Sequence, residues 1–139
     1  MKLLLVMLHT KDNSMADKYY VKWNDVDTFV NVLVDHIKMK KLKITGVFGL
    51  PRGGLIPAVM ISHQLDIPLL LAPCNNCLIV DDIADSGKSL HHYTENDTQF
   101  NKYFIATMFY HERSIVKPDF YLYEKNDRWI VFPWEDQEC

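Results

Sequence analysis

The sequence predicts one α/β domain built on a parallel sheet. Two observations point there. Short apolar runs of strand character alternate with helix-length segments, the pattern that winds a parallel sheet. The two most loop-like polar segments, PRGG and DDIADSGKS, both follow such runs, and parallel sheets bind ligands beyond the carboxyl ends of their strands.

Taken in order, Tyr19 to Lys22 reads as a short extended segment. Asn24 is expected as a helix N-cap, with Asp25 and Asp27 in the first turn where the helix dipole favours negative charge. Val26, Phe29, Val30, Leu33 and Ile37 then recur at helical spacing, and Lys38, Lys40 and Lys41 close the helix with cations. ITGVFGL is a strand running into the PRGG turn. LIPAVMISHQL is a buried helix, with Pro57 tolerable in its first turn. IPLLL and CLIVDD are two further strands, the second ending at Asp81 and Asp82, and GKSLHHYTEN is a helix. YFIATMFY, DFYLY and WIVF complete the strands.

The 139 residues suffice for one domain with its own core. At 48% hydrophobic, 24% charged and net charge −3, the chain lacks the basic excess of a nucleic-acid or membrane-surface binder. The run LLLVML, Leu3 to Leu8, is too short to span a bilayer and is followed by no small-residue cleavage site. Residues 1–14 read either as an upstream extension before Met15 or as an added edge strand. Three cysteines make no disulfide scaffold and suit a reducing cytoplasm.

The stretch Cys74 to Leu90, CNNCLIVDDIADSGKSL, offers three chemistries. A P-loop requires glycine where Asp82 stands, and a carboxylate there repels phosphate. A structural zinc site needs four ligands, whereas Cys74 and Cys77 have only the terminal Cys139 and the adjacent His91 and His92 to recruit. An incidental pair in a turn is the simpler reading of CNNC; zinc or a redox couple is the alternative. The carboxylate reading survives. Asp81, Asp82 and Asp85 precede a Ser-Gly-Lys-Ser helix start whose free N–H groups suit a phosphate, while the acids suit hydroxyl groups or magnesium. A phosphate at one end and a diol at the other describe a ribose 5-phosphate.

CLIVDDIADSGKS resembles the 5-phosphoribosyl-1-pyrophosphate (PRPP) signature of type I phosphoribosyltransferases. GVFGLPRGGLIPA resembles the family's pyrophosphate loop, and DRWIVFPWE the base-binding hood of xanthine-guanine and hypoxanthine enzymes. The motifs stand in family order over about residues 19–135. The resemblance implies the type I fold, a parallel core sheet flanked by helices with a small C-terminal hood, over residues 19–139 after an extension at 1–18. It implies a cytoplasmic purine-salvage transferase that moves the 5-phosphoribosyl group from PRPP to a guanine-, hypoxanthine- or xanthine-type base, with Mg2+ as cofactor. It also implies a homo-oligomer, dimer or tetramer.

By the same resemblance Asp81 and Asp82 address the ribose hydroxyls and magnesium, with Glu135 as a further metal or base ligand. Asp85 is the catalytic acid/base near purine N7. Asp85, Ser86, Gly87, Lys88 and Ser89 hold the 5-phosphate; Pro51, Arg52, Gly53 and Gly54 hold pyrophosphate, with a cis Pro51–Arg52 peptide. Trp129 stacks on the base, beside the Ile130 backbone.

Two departures stand out. The family's lysine that reads the purine 6-oxo group falls at Tyr110, followed by His111, so adenine or another base stays open. The long flexible loop before CLIVDD is reduced to Ala72 to Asn76. Loop closure excludes water, so its shortening leaves an alternative: a non-catalytic PRPP- or nucleotide-binding regulator of the same fold.

Overall fold

The computed structural model describes residues 6–7, 18–95 and 102–135. Leu3 to Leu5, Leu8, Met15, Asn96 and Cys139, on which parts of the sequence reading rest, lie outside them. The strands are β1 (Val6–Met7), β2 (Lys18–Tyr20), β3 (Val47–Gly49), β4 (Cys77–Ala84), β5 (Tyr103–Tyr110), β6 (Phe120–Glu124) and β7 (Trp129–Val131); the helices are α1 (Trp23–Met39), α2 (Leu55–Leu65) and α3 (Lys88–Thr94). A five-stranded sheet runs β1-β6-β5-β4-β3, every pairing parallel. The α/β architecture is as expected, a parallel core sheet flanked by helices.

Alternation along β4 feeds two cores. Leu78 and Val80 join the buried side of α1 (Val26, Phe29, Val30, Leu33, Val34, Ile37) and Ala58 and Ile61 of α2. Cys77 and Ile79 point the other way, to Phe48, Leu50 and Leu90, the last from α3. The sheet is therefore covered on both faces, and only its ends and loops are free to carry polar chemistry.

Several boundaries differ from the sequence reading. Helix α1 starts earlier, with Lys22 as N-cap in place of Asn24, because the Asp25 carboxylate accepts the Lys22 N–H at 2.9 Å. IPLLL forms one bridge, Leu69 to Val47, and no strand. Pro68 has no N–H to extend the ladder, and Leu71 is exposed. Strand β4 continues past Asp82 to Ala84, so Asp81 is a paired strand residue opposite Thr107. Helix α3 ends at Thr94. The edge strand is realised at Val6–Met7, beside Tyr123 and Glu124.

The hood is a second sheet, β2 paired in parallel with β7, Lys18 opposite Trp129 and Tyr20 opposite Val131. It is thus built from both sides of the chain. No helix among the described residues is long and apolar enough to cross a membrane.

The turn from β3 into α2 seats directly on β4. Leu50 donates its N–H to Val80 O at 2.9 Å, and Gly54 donates to Leu50 O at 2.8 Å. A Cβ on Gly54 would strike Val80 O and lie 2.7 Å from Leu50 N. Backbone on both sides cannot yield as a side chain can. Gly54→Ala is expected to destabilise the fold by about 1–3 kcal/mol, the usual range for forced overpacking, read as a lowered urea midpoint at unchanged slope.

Candidate active site

Three separated segments meet at the carboxyl edge of the sheet. A cleft of about 290 Å³ is lined by Pro51, Arg52 and Gly53, by Asp81, Asp82 and Ile83, and by Asp85 through Leu90. A second cleft of about 530 Å³ shares Arg52, Gly53 and Asp82 and adds Trp134 and Glu135. Every residue expected at the ribose, 5-phosphate and pyrophosphate positions lines the first cleft except Gly54, which is buried beneath it.

Gly53 sets how closely the two loops approach. A Cβ there would overlap the Asp82 carboxylate, so the PRGG turn lies against Asp82 only because residue 53 has no side chain. The Pro51–Arg52 peptide is cis. Gly87 has φ 81°, a left-handed conformation glycine adopts freely, and caps α3. A Cβ on it would strike Ser114 Oγ and lie 2.9 Å from Ile115 N. The loop after β5 is thereby pressed onto the Ser86–Ser89 turn, where Ile115 donates its N–H to Ser86 O at 2.9 Å. Lys88 donates its N–H to Ser86 Oγ at 3.3 Å.

Asp81 and Asp82 are half-buried neighbours, and Asp82 donates its N–H to Asp81 Oδ1 at 2.8 Å. Burial, then the charge of Asp82, raises Asp81 well above the ordinary carboxylate range. Burial pushes Asp82 up to about 6, against the hydrogen bond with Asp81 and with help from Glu135. Among the described residues no cation pairs with either acid, and no three acid, histidine or cysteine side chains form a ready metal cage. Asp85 differs: its Oδ1 lies 2.7 Å from Arg113 Nη2 and its Oδ2 3.4 Å from Lys125 Nζ.

The base-side residues are dispersed. Trp129 is 62% exposed and lines neither cleft. Ile130 is buried in the core. Tyr110 packs on Tyr121 with ring centroids 4.7 Å apart. His111 lies 3.5 Å from Asp127 and accepts the Arg113 N–H on Nδ1. Glu135 does reach the second cleft, anchored by the Phe132 N–H at 2.9 Å. Sequence reasoning passed over Trp134, which stacks on Phe132 at 5.2 Å and meets the Trp23 edge at 6.0 Å. It lay within the quoted hood motif. Arg113 and Lys125 had no local signal, because only the fold brings them to Asp85.

The CNNC turn sits at the opposite, amino edge of β4. Asn76 donates its N–H to Lys102 O, and Thr45 donates to Asn76 O. Burial pushes the Cys77 thiol up to about 11, away from the thiolate that metal and redox chemistry use.

No protein-family model matches the chain. It is 30% identical over 116 residues to the xanthine-guanine phosphoribosyltransferase of Cereibacter sphaeroides, covering 64% of this chain and 68% of that one. A purine phosphoribosyltransferase structure from Pyrococcus horikoshii superposes with TM-score 0.77 and 31% identity, over 88% of this chain and 97% of the other. The Helicobacter pylori xanthine-guanine-hypoxanthine enzyme shares the fold at TM-score 0.75 and 21% identity, over 86% and 93%.

An acid whose native pKa is raised binds more protons folded than unfolded between the two values, so its stability contribution falls as pH rises through that window. For Asp82 the window runs from the ordinary value near 4 to about 6. Asp82→Asn is therefore expected to stabilise the ligand-free protein at pH 7.5 by on the order of 2 kcal/mol. The gain should vanish at pH 4, which thermal melts at the two pH values would show.

Proposed function

The chain belongs to the type I phosphoribosyltransferase family, among its purine enzymes, and from that premise we propose how its own residues carry phosphoribosyl transfer from PRPP to a guanine-, hypoxanthine- or xanthine-type base. The observation that carries the assignment is the convergence of Arg52–Gly53, Asp81–Asp82 and Asp85–Ser89 on one cleft. The relatives are transferases by name, and nothing among them favours a non-catalytic binder.

The bond from the anomeric carbon to pyrophosphate breaks as a bond to a purine nitrogen forms, and positive charge develops on the ribose. The turn of Ser86, Gly87, Lys88 and Ser89 holds the 5-phosphate on backbone N–H groups. Asp81 and Asp82 receive the ribose hydroxyls, and their charge stabilises the cationic sugar. Arg52 with Pro51 and Gly53 holds the leaving pyrophosphate, and Gly54 lets that turn seat on β4. Asp85 holds the proton at purine N7. The base lies toward the second cleft against Trp134, with Glu135 at its rim; Trp129 and Ile130 belong to the strand that delivers both, and Tyr110 and His111 close the far side.

The acids fit a magnesium ion brought in by substrate. Two neighbouring carboxylates that pair with no cation among the described residues, and a third nearby, offer charge, and Mg2+ takes most of its remaining ligands from phosphates and water. Asp81, Asp82 and Glu135 would hold it, and it supplies neutralisation of the departing pyrophosphate. Residues 19–139 form the body of the transferase domain in this reading, with 1–18 as an extension that adds Val6–Met7 to the edge of the core sheet and Lys18 to the hood, in a cytoplasmic homo-oligomer.

Incubation with magnesium, PRPP and each purine tests the assignment. Pyrophosphate should appear in an amount equal to nucleotide plus free ribose 5-phosphate, and Asp85→Asn should lower kcat for nucleotide formation by about 10²- to 10⁴-fold, the span of general acid–base catalysis. Tight PRPP binding without product from any base would overturn it. The short turn at 72–76 lies at the edge remote from the cleft, so it offers no closure against water. Free ribose 5-phosphate should therefore accumulate beside nucleotide, and Asp85→Asn should suppress nucleotide more than hydrolysis.

A further inference from the structure

The loop after β5 reaches back to the end of β4 and the turn that follows it. His111 donates its N–H to Ala84 O at 2.9 Å, and Ile115 donates to Ser86 O at 2.9 Å. Between these two anchors Arg113 meets Asp85. The loop also fixes the Arg113 backbone, whose N–H donates to His111 Nδ1 at 3.1 Å, while Ser114 donates its N–H to His111 O at 2.9 Å. The guanidinium is thus presented from a braced turn.

Its two contacts fall on a single oxygen. Arg113 Nη2 lies 2.7 Å and Nε 3.0 Å from Asp85 Oδ1, a strong charge-assisted pairing. Oδ2 has the longer contact, Lys125 Nζ at 3.4 Å. Asp85 lines the first cleft, whereas Arg113, 59% exposed, lines neither cleft and approaches the carboxylate from outside. We propose that Arg113 is a positioning residue that anchors Oδ1 and so presents Oδ2 to the base. An aspartate carboxylate otherwise turns freely about its last torsion, which is broad and roughly two-fold. The proposal rests on the transfer reading above. There, as purine N9 bonds to the anomeric carbon, pyrophosphate leaves with the electron pair of the broken bond. The proton on N7 passes to Asp85, and Oδ2 is the oxygen left to take it.

Steady-state assays of Arg113→Met, Asp85→Asn and the double variant test this. Arg113→Met removes the guanidinium at an exposed position and spares the core. It should lower kcat for nucleotide formation by about 10- to 100-fold, the cost of a catalytic group misplaced by about 1 Å, with KM for PRPP within about twofold. Release of free ribose 5-phosphate should be little changed, since hydrolysis does not draw on the N7 proton. Added to Asp85→Asn, the same substitution should cost nothing further, because Arg113 acts through that carboxylate. Arg113→Lys should recover part of the rate, an ammonium being a point charge without the guanidinium fork. Additive losses, an equal fall in nucleotide and hydrolysis, or no recovery in Arg113→Lys overturns the proposal. So does a faster Arg113→Met enzyme, which would make Arg113 a mask on Asp85. Absence of transfer by the unmutated protein sinks the transfer reading and this proposal together; with transfer present, the variants alone judge Arg113.

Discussion

The close approach of the PRGG turn to β4 is the constraint on which the site depends. Gly54 lets the turn seat on the Val80 and Leu50 backbone, and Gly53 lets it lie against the Asp82 carboxylate. Both contacts are possible only without a Cβ. They fix Arg52 across the cleft from the two acids. Strand β4 can serve as that reference because it is paired on both sides and buried through Val80.

That burial also accounts for the electrostatics. Asp81 and Asp82 extend a buried strand two residues into polar surroundings, so they keep part of its desolvation and gain mutual repulsion. The ligand-free site is held in an unfavourable charge state at neutral pH. In the transfer reading proposed above, a cationic sugar or a divalent ion would relieve it.

Much of this was legible in the sequence because it is local. CLIVDDIADSGKS encodes a strand, a loop and a helix start in consecutive residues, and α2 and β5 match their expected bounds. What was not legible turns on which of several partners a group takes, near or far. The N-cap of α1 moved because the Asp25 carboxylate captured an earlier N–H. IPLLL has strand composition, yet Pro68 and the exposed Leu71 leave it one bridge. Trp129 read as the base platform from its motif, whereas Trp134, five residues further on, is the ring that reaches a cleft. Arg113 and Lys125 lie 28 and 40 residues from Asp85, and no spacing rule spans such distances.

The hood carries the same lesson into function. Trp134 is placed by β7, β7 pairs with β2, and Trp23 at the start of α1 braces the Trp134 ring from the side. The wall of the second cleft therefore draws on segments from both ends of the described chain. The first cleft, by contrast, is lined within residues 51–90 and rests on the core sheet. The outer wall of the second cleft hangs on a two-stranded sheet, the kind of element that is marginal alone and borrows its stability from packing.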